Sequence, residues 1–181
     1  MKGMVFVELL RMAEEALGED VVDRVLDTTP TSCDGAFTAV GNYPCSDLMA
    51  LVAGFSTASG LPPDDLQKLF GRWMLGRFHD LYPQFFEGKK DAFAMLEAIE
   101  GEIHVEVRKL YPEVELPSFE TRRLSEAELA MTYTSERPLV AFCEGLIRGC
   151  LDHFGSGGSV ELLAQSDGAR KRADFLVRQG A

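Results

Sequence analysis

No CxxC pair occurs among the four cysteines, and nothing in the sequence marks the chain for export. Reduced thiols in a cytoplasmic protein are therefore the expectation. Cys143 and Cys150 lie two turns apart on one predicted helix, too distant for a disulfide, and read as small core residues. Positive charge is also scarce: 18 Lys and Arg against 29 Asp and Glu give a net charge of −11. Such a chain gains nothing from phosphate backbones, which argues against direct nucleic-acid binding and leaves solubility as the simplest role of the charge. Long apolar runs are absent. Glu8 and Arg11 interrupt the first one, no small-residue cleavage site follows, and no stretch approaches the ~20 residues of a membrane span. Low-complexity tracts, internal repeats and long linkers are missing too. The 181 residues, 46% hydrophobic, thus read as one domain over 1–181 with a sizeable core.

What is present begins with helices. Val5, Leu9, Met12 and Ala16 recur at helical spacing over Met4 to Leu17, and Gly18 stops that helix. Asp20 to Leu26 forms a second, Ser46 caps a third that ends at Gly60, and prolines and aspartates start a fourth in "LPPDDLQKLFGRWMLGRFHDLYP". Asp91 opens a fifth, and a sixth runs from Ile103 to Leu110. Past Pro112 the texture changes. "SFETRRLS" and "ELAMTYTSER" read as strands, "RPLVAFCEGLIRGCLDHFG" as a helix, and "SVELLAQ" and "ADFLVRQ" complete an antiparallel sheet. Helices first and strands later predict an α+β fold, a helical N-terminal half against a C-terminal half with a sheet and a long helix.

Histidine is rare, three in the chain, and His104 sits in "IHVEVRKLYPEVELPSF". Ile103, Val107 and Leu110 mark a buried face of that helix, with His104 at its border. Spacing alone leaves three roles open: metal ligand, proton carrier, or a packed ring. Burial favours the neutral imidazole, the form that gives a lone pair to iron. A second cluster is "YTSER". On a strand, Tyr133, Ser135 and Arg137 share one face and offer a phenol, a hydroxyl and a guanidinium fork suited to carboxylates or phosphates. Taken alone it also fits a solvated strand face.

Together the histidine helix and Y-x-S-x-R resemble the haem nitric oxide/oxygen binding (H-NOX) family, sensor domains related to the haem domain of soluble guanylate cyclase. The resemblance runs through "MKGMVFVELL", "AVGNYP", "LFGRWMLGRF", "LYPQFF", "IHVEVRKLYP", "LPSF", "YTSERPL" and "EGLIRGCLDHFG". It implies a haem b between the two halves, with His104 as the proximal iron ligand. Tyr133, Ser135 and Arg137 would bind the propionates, and Pro117, whose ring cannot move aside, would press on the porphyrin. The distal wall would be Val5 and Leu9, Met74 and Phe78, and Phe142 and Leu146, each pair four residues apart on one helix face.

Oxygen-binding members carry a distal tyrosine where this chain has Phe142, and neither Leu9 nor Met74 supplies a donor. A charge-assisted bond to bound oxygen contributes about 1.5–3 kcal/mol, roughly ten- to hundredfold in affinity. The resemblance thus implies a ferrous five-coordinate haem that takes nitric oxide and breaks the His104 bond, that also takes carbon monoxide without signalling, and that excludes oxygen. Many bacterial relatives have a Cys/His zinc site near the C-terminus, and this tail contains neither residue type. With no output domain in the sequence, the implied partner is a separate effector, a histidine kinase or a cyclic-di-GMP enzyme (diguanylate cyclase or phosphodiesterase). An enzyme of the peroxidase or nitric oxide dioxygenase kind is disfavoured, because no distal His or Arg is at hand for O–O cleavage. Haem redox sensing is a further alternative.

Overall fold

The computed structural model describes residues 1–166 and 171–180. They form an α+β fold in two compact units, 1–70 and 71–181. The first unit is helical, with α1 (Gly3–Leu17), α2 (Glu19–Thr28), α3 (Cys45–Ser59) and the start of α4 (Pro63–Leu81). Phe6 and Leu9 of α1 are fully buried. The Phe6 ring stacks on Phe37 at 4.6 Å and meets Tyr43 edge-on at 5.3 Å, which fixes the loop between α2 and α3 against α1. Gly18 ends α1 at φ +89°, a backbone state other residues avoid. Ser46 is not the cap of α3. Pro44 holds that position with no side-chain cap, and Asp47 instead accepts the backbone N–H and hydroxyl of Ser32 at 3.0 and 2.6 Å. Gln67 on α4 is 1% exposed, and neither of its amide atoms has a hydrogen-bond partner among the described residues.

The second unit holds the rest of α4, a 3-10 turn at Pro83–Phe85, α5 (Ala92–Ala98), α6 (His104–Leu110), α7 (Val140–His153) and the sheet. Strands β1 (Ser118–Arg123), β2 (Glu128–Thr134), β3 (Ser159–Gln165) and β4 (Arg172–Arg178) are antiparallel in the order β1-β2-β4-β3. Leu129, Met131 and Tyr133 alternate with less buried neighbours and face a core shared with Phe93, Ile147, Phe175 and Val177. Cys143 and Cys150 are buried in this core as free thiols, and burial pushes the Cys150 thiol up to about 12. No helix among the described residues is long and apolar enough to cross a membrane.

Two further expectations need correction. Strand β2 stops at Thr134, so Ser135 and Arg137 lie in the loop beyond it rather than on its face. Past that point, among the described residues, Ser135 N–H bonds to Lys171 O at 2.7 Å, and Pro138 has no N–H to continue a ladder. The buried face of α6 is also shifted. A π turn over Ile99–Ile103 precedes the helix, and its extra residue rotates the face that follows. His104 itself is buried, at 8% exposure, while Leu110 is 64% exposed.

Candidate functional site

The π turn delivers His104 as the first residue of α6, its N–H bonded five residues back to Ile99 O. One turn back, Glu100 Oε1 lies 2.8 Å from His104 Nδ1. A carboxylate only accepts, so this contact assigns the proton to Nδ1 and leaves the Nε2 lone pair free. Burial lowers the His104 pKa; the Glu100 carboxylate pulls it back up, and Arg108 adds to the lowering. The ring is thus held neutral and aimed by one hydrogen bond. Glu100 Oε1 also accepts the Phe119 N–H at 3.1 Å, joining the histidine to β1.

From β1 the site passes to β2. The ladder pairs Phe119 with Tyr133 and Ser118 with Thr134, so Pro117 and Ser135 flank the same end of it. Ring centroids step from His104 to Phe119 at 5.8 Å and on to Tyr133 at 5.6 Å. Beyond the strand, Ser135 Oγ accepts the Arg137 N–H at 3.0 Å. The Arg137 fork donates to Glu115 twice, to its backbone O and to Oε2, each at 3.0 Å. The segment carrying Pro117 is thereby tied to the loop carrying Arg137. The structure thus gathers His104, Pro117, Tyr133, Ser135 and Arg137 around one end of the β1–β2 pair.

Among the described residues, no group of three or more His, Cys, Asp or Glu could hold a metal ion. A neutral imidazole such as that of His104 is a side chain that ligates haem iron. The remaining donors fit that group: a phenol, a hydroxyl and a guanidinium suit two carboxylates.

Of the distal candidates, Met74 is fully buried and Phe78, Phe142 and Leu146 are half-buried in the second unit. Helices α4 and α7 approach backbone to backbone there. A Cβ on Gly71 would stand 2.3 Å from Phe142 O and 2.7 Å from Leu146 N. Val5, half-buried, and Leu9, buried, belong to the first unit. Sequence reasoning missed Glu100, Phe119 and Glu115. Only Glu100 had a signal, an acid four residues before a histidine on a helix.

Residues 2–162 match the family model described as Haem-NO-binding. Solved structures resemble the chain along its whole length. The Fe(II) unliganded H-NOX protein from K. algicida is 30% identical, with 100% of this chain and 97% of that one covered and a TM-score of 0.92. The IWP-051-bound H-NOX from Shewanella woodyi in the Fe(II)CO ligation state is 32% identical, covering 99% and 95%, with a TM-score of 0.83. An H-NOX protein from S. oneidensis in the Fe(II)NO ligation state is 24% identical over 100% of both chains, with a TM-score of 0.90, a likeness of fold. No curated protein matches the chain in sequence.

Proposed function

Because the chain belongs to the haem-NO-binding (H-NOX) family of haem-binding gas sensors, we propose that it senses nitric oxide at a haem b held by His104. Haem would supply there a ferrous iron able to bind a diatomic gas. His104 would hold the iron through Nε2, since its Nδ1 proton is engaged by Glu100. Tyr133, Ser135 and Arg137 hold the propionates, and Pro117 bears on the macrocycle. Residues 1–181 act as one sensor domain without catalysis of its own. Helix α6, which carries His104 as its first residue, would be the element that links the haem to the rest of the domain, and a separate effector would read its state. A histidine kinase or a cyclic-di-GMP enzyme is the family's usual bacterial partner.

The observation that carries the choice of gas is Phe142. It stands where oxygen-binding relatives place a hydroxyl donor, and the other distal candidates Met74, Phe78 and Leu146 are apolar. Val5 and Leu9 add no donor from α1. Nitric oxide binds ferrous iron without a hydrogen bond, whereas oxygen loses about 1.5–3 kcal/mol for want of one. The test is the absorption spectrum of the reduced protein in air, under carbon monoxide and under nitric oxide. Nitric oxide and carbon monoxide complexes are expected, and no stable oxygen complex. A stable oxygen complex would overturn the reading.

A further inference from the structure

Glu100 is shared by three groups. Its Oε1 accepts from His104 Nδ1 at 2.8 Å and from the Phe119 backbone N–H at 3.1 Å, while Oε2 lies 3.7 Å from the Arg108 guanidinium. The π turn that carries it is held from both sides. Lys89 pairs with Glu102 on its outer face, and the His104 N–H bonds to Ile99 O at its end. We infer that Glu100 is the positioning residue that sets how strongly His104 donates to the haem iron, an inference that rests on the haem reading above.

The reasoning is electrostatic. A carboxylate on the far nitrogen of an imidazole draws the shared proton toward itself and raises the basicity of the near one, an arrangement seen in metal sites where a carboxylate backs a ligating histidine. The bond at 2.8 Å is of charge-assisted length, and the ring it acts on is 8% exposed, so water screens it little. Arg108 tempers the effect without cancelling it, because its 3.7 Å separation exceeds hydrogen-bond length and its side chain is half in solvent. The Phe119 N–H fixes the carboxylate from a different element, so Glu100 cannot swing away as a solvated helix side chain would. Stronger donation has two consequences. It favours ferric over ferrous iron, and it opposes release of His104 when nitric oxide arrives. Glu100 therefore sets the threshold at which gas binding becomes movement of α6.

The test compares the wild-type haem protein with Glu100→Gln, which keeps size and an acceptor oxygen but removes the charge. Resonance Raman of the reduced, gas-free protein reads the iron–histidine stretch. In Glu100→Gln it is expected at lower wavenumber, together with a higher reduction potential and faster loss of His104 after nitric oxide is added. A loaded Glu100→Gln protein with the wild-type stretch and potential overturns the inference. Wild-type protein that takes up no haem would instead overturn the haem reading. Should Glu100→Gln fail to load, nitrogen NMR of the His104 ring in haem-free wild-type protein decides. Free imidazole of histidine prefers its proton on Nε2, so a proton found mainly on Nδ1 supports the Glu100 bond, and one found on Nε2 overturns it.

Discussion

Arg137 donates both ends of its fork to Glu115, and whether haem carboxylates can take it over depends on how firmly that pair holds. The Glu115 side chain is 78% exposed, and an exposed ion pair contributes only about 0–1 kcal/mol. Propionates can therefore displace it. Arg137→Ala is expected to speed haem transfer to an apo-globin acceptor by roughly tenfold or more, the loss of about 1.5–3 kcal/mol of charge-assisted bonding. Glu115→Ala should change the same rate by less than about threefold, within the small worth of an exposed pair. Equal effects from both substitutions would mean that the arginine only braces the loop. At this scale the sequence was legible where two clusters combine. His104 and the Y-x-S-x-R cluster were singled out together, through the family resemblance, since each alone also fits an ordinary packed ring or a solvated strand face. Glu100 was not, because Glu97, Glu102 and Glu106 surround it in sequence and a run of acids reads as a solvated face. Its role depends on Phe119, 19 residues away, and on the π turn, neither of which periodicity reveals.

Among the elements, those with strong local signals were read closely. Helix α1 ends at Leu17 as Gly18 requires, and Asp91 caps α5 by accepting the Ala94 N–H at 2.7 Å. Errors came where tertiary contacts override the pattern, at the end of β2 and at the face of α6. The α4–α7 crossing was invisible for the same reason, since its glycines sit inside helices and look like weak points. They are the contact. Ala is favoured over Gly in a helix by about 0.8–1 kcal/mol, yet a Cβ on Gly71 would meet backbone atoms of α7 at 2.3, 2.7 and 2.8 Å that cannot step aside. Overpacking of this kind costs about 1–3 kcal/mol, so Gly71→Ala should lower the urea midpoint. Gly76, five residues on in the same helix, has nothing within 4 Å of the same position. Gly76→Ala should raise the midpoint instead, by an amount near the propensity difference. Opposite signs from one substitution in one helix isolate the crossing from the helix. Because Phe142 and Leu146 supply the backbone atoms that Gly71 touches, the Gly71 variant should also alter the carbon monoxide stretching frequency, and the Gly76 variant should not.

The molecule as a whole responds to pH through groups that titrate differently once folded. His104 and His153 both have lowered pKa values, from burial above all; His79, its ring 4.6 Å from that of His153, adds to the second. When a folded pKa lies below the unfolded 6.5, the unfolded chain binds more protons between the two values. Stability contributed by neutral histidine is therefore complete above pH 6.5 and is lost as pH falls through the folded values. The thiols act in the opposite sense. Burial raises Cys143 and Cys150 above the usual 9.0, so above that pH the unfolded chain releases protons that the folded chain keeps. Stability then falls as pH rises from 9.0. Each group limits its slope to about 1.4 kcal/mol per pH unit, one proton's worth. The alkaline limb should approach two such slopes because both thiols are buried. The acid limb should be shallower, since His153 is largely exposed and solvent screens it. Urea unfolding of the haem-free protein under reducing conditions should thus show a plateau between about pH 6.5 and 9 with a gentler edge on the acid side. Replacing both cysteines by alanine should lower the plateau through lost packing while flattening the alkaline limb. An alkaline limb that kept its slope in the double variant would place the responsible proton elsewhere, with Tyr82, raised by burial and by Tyr111, the next group to replace.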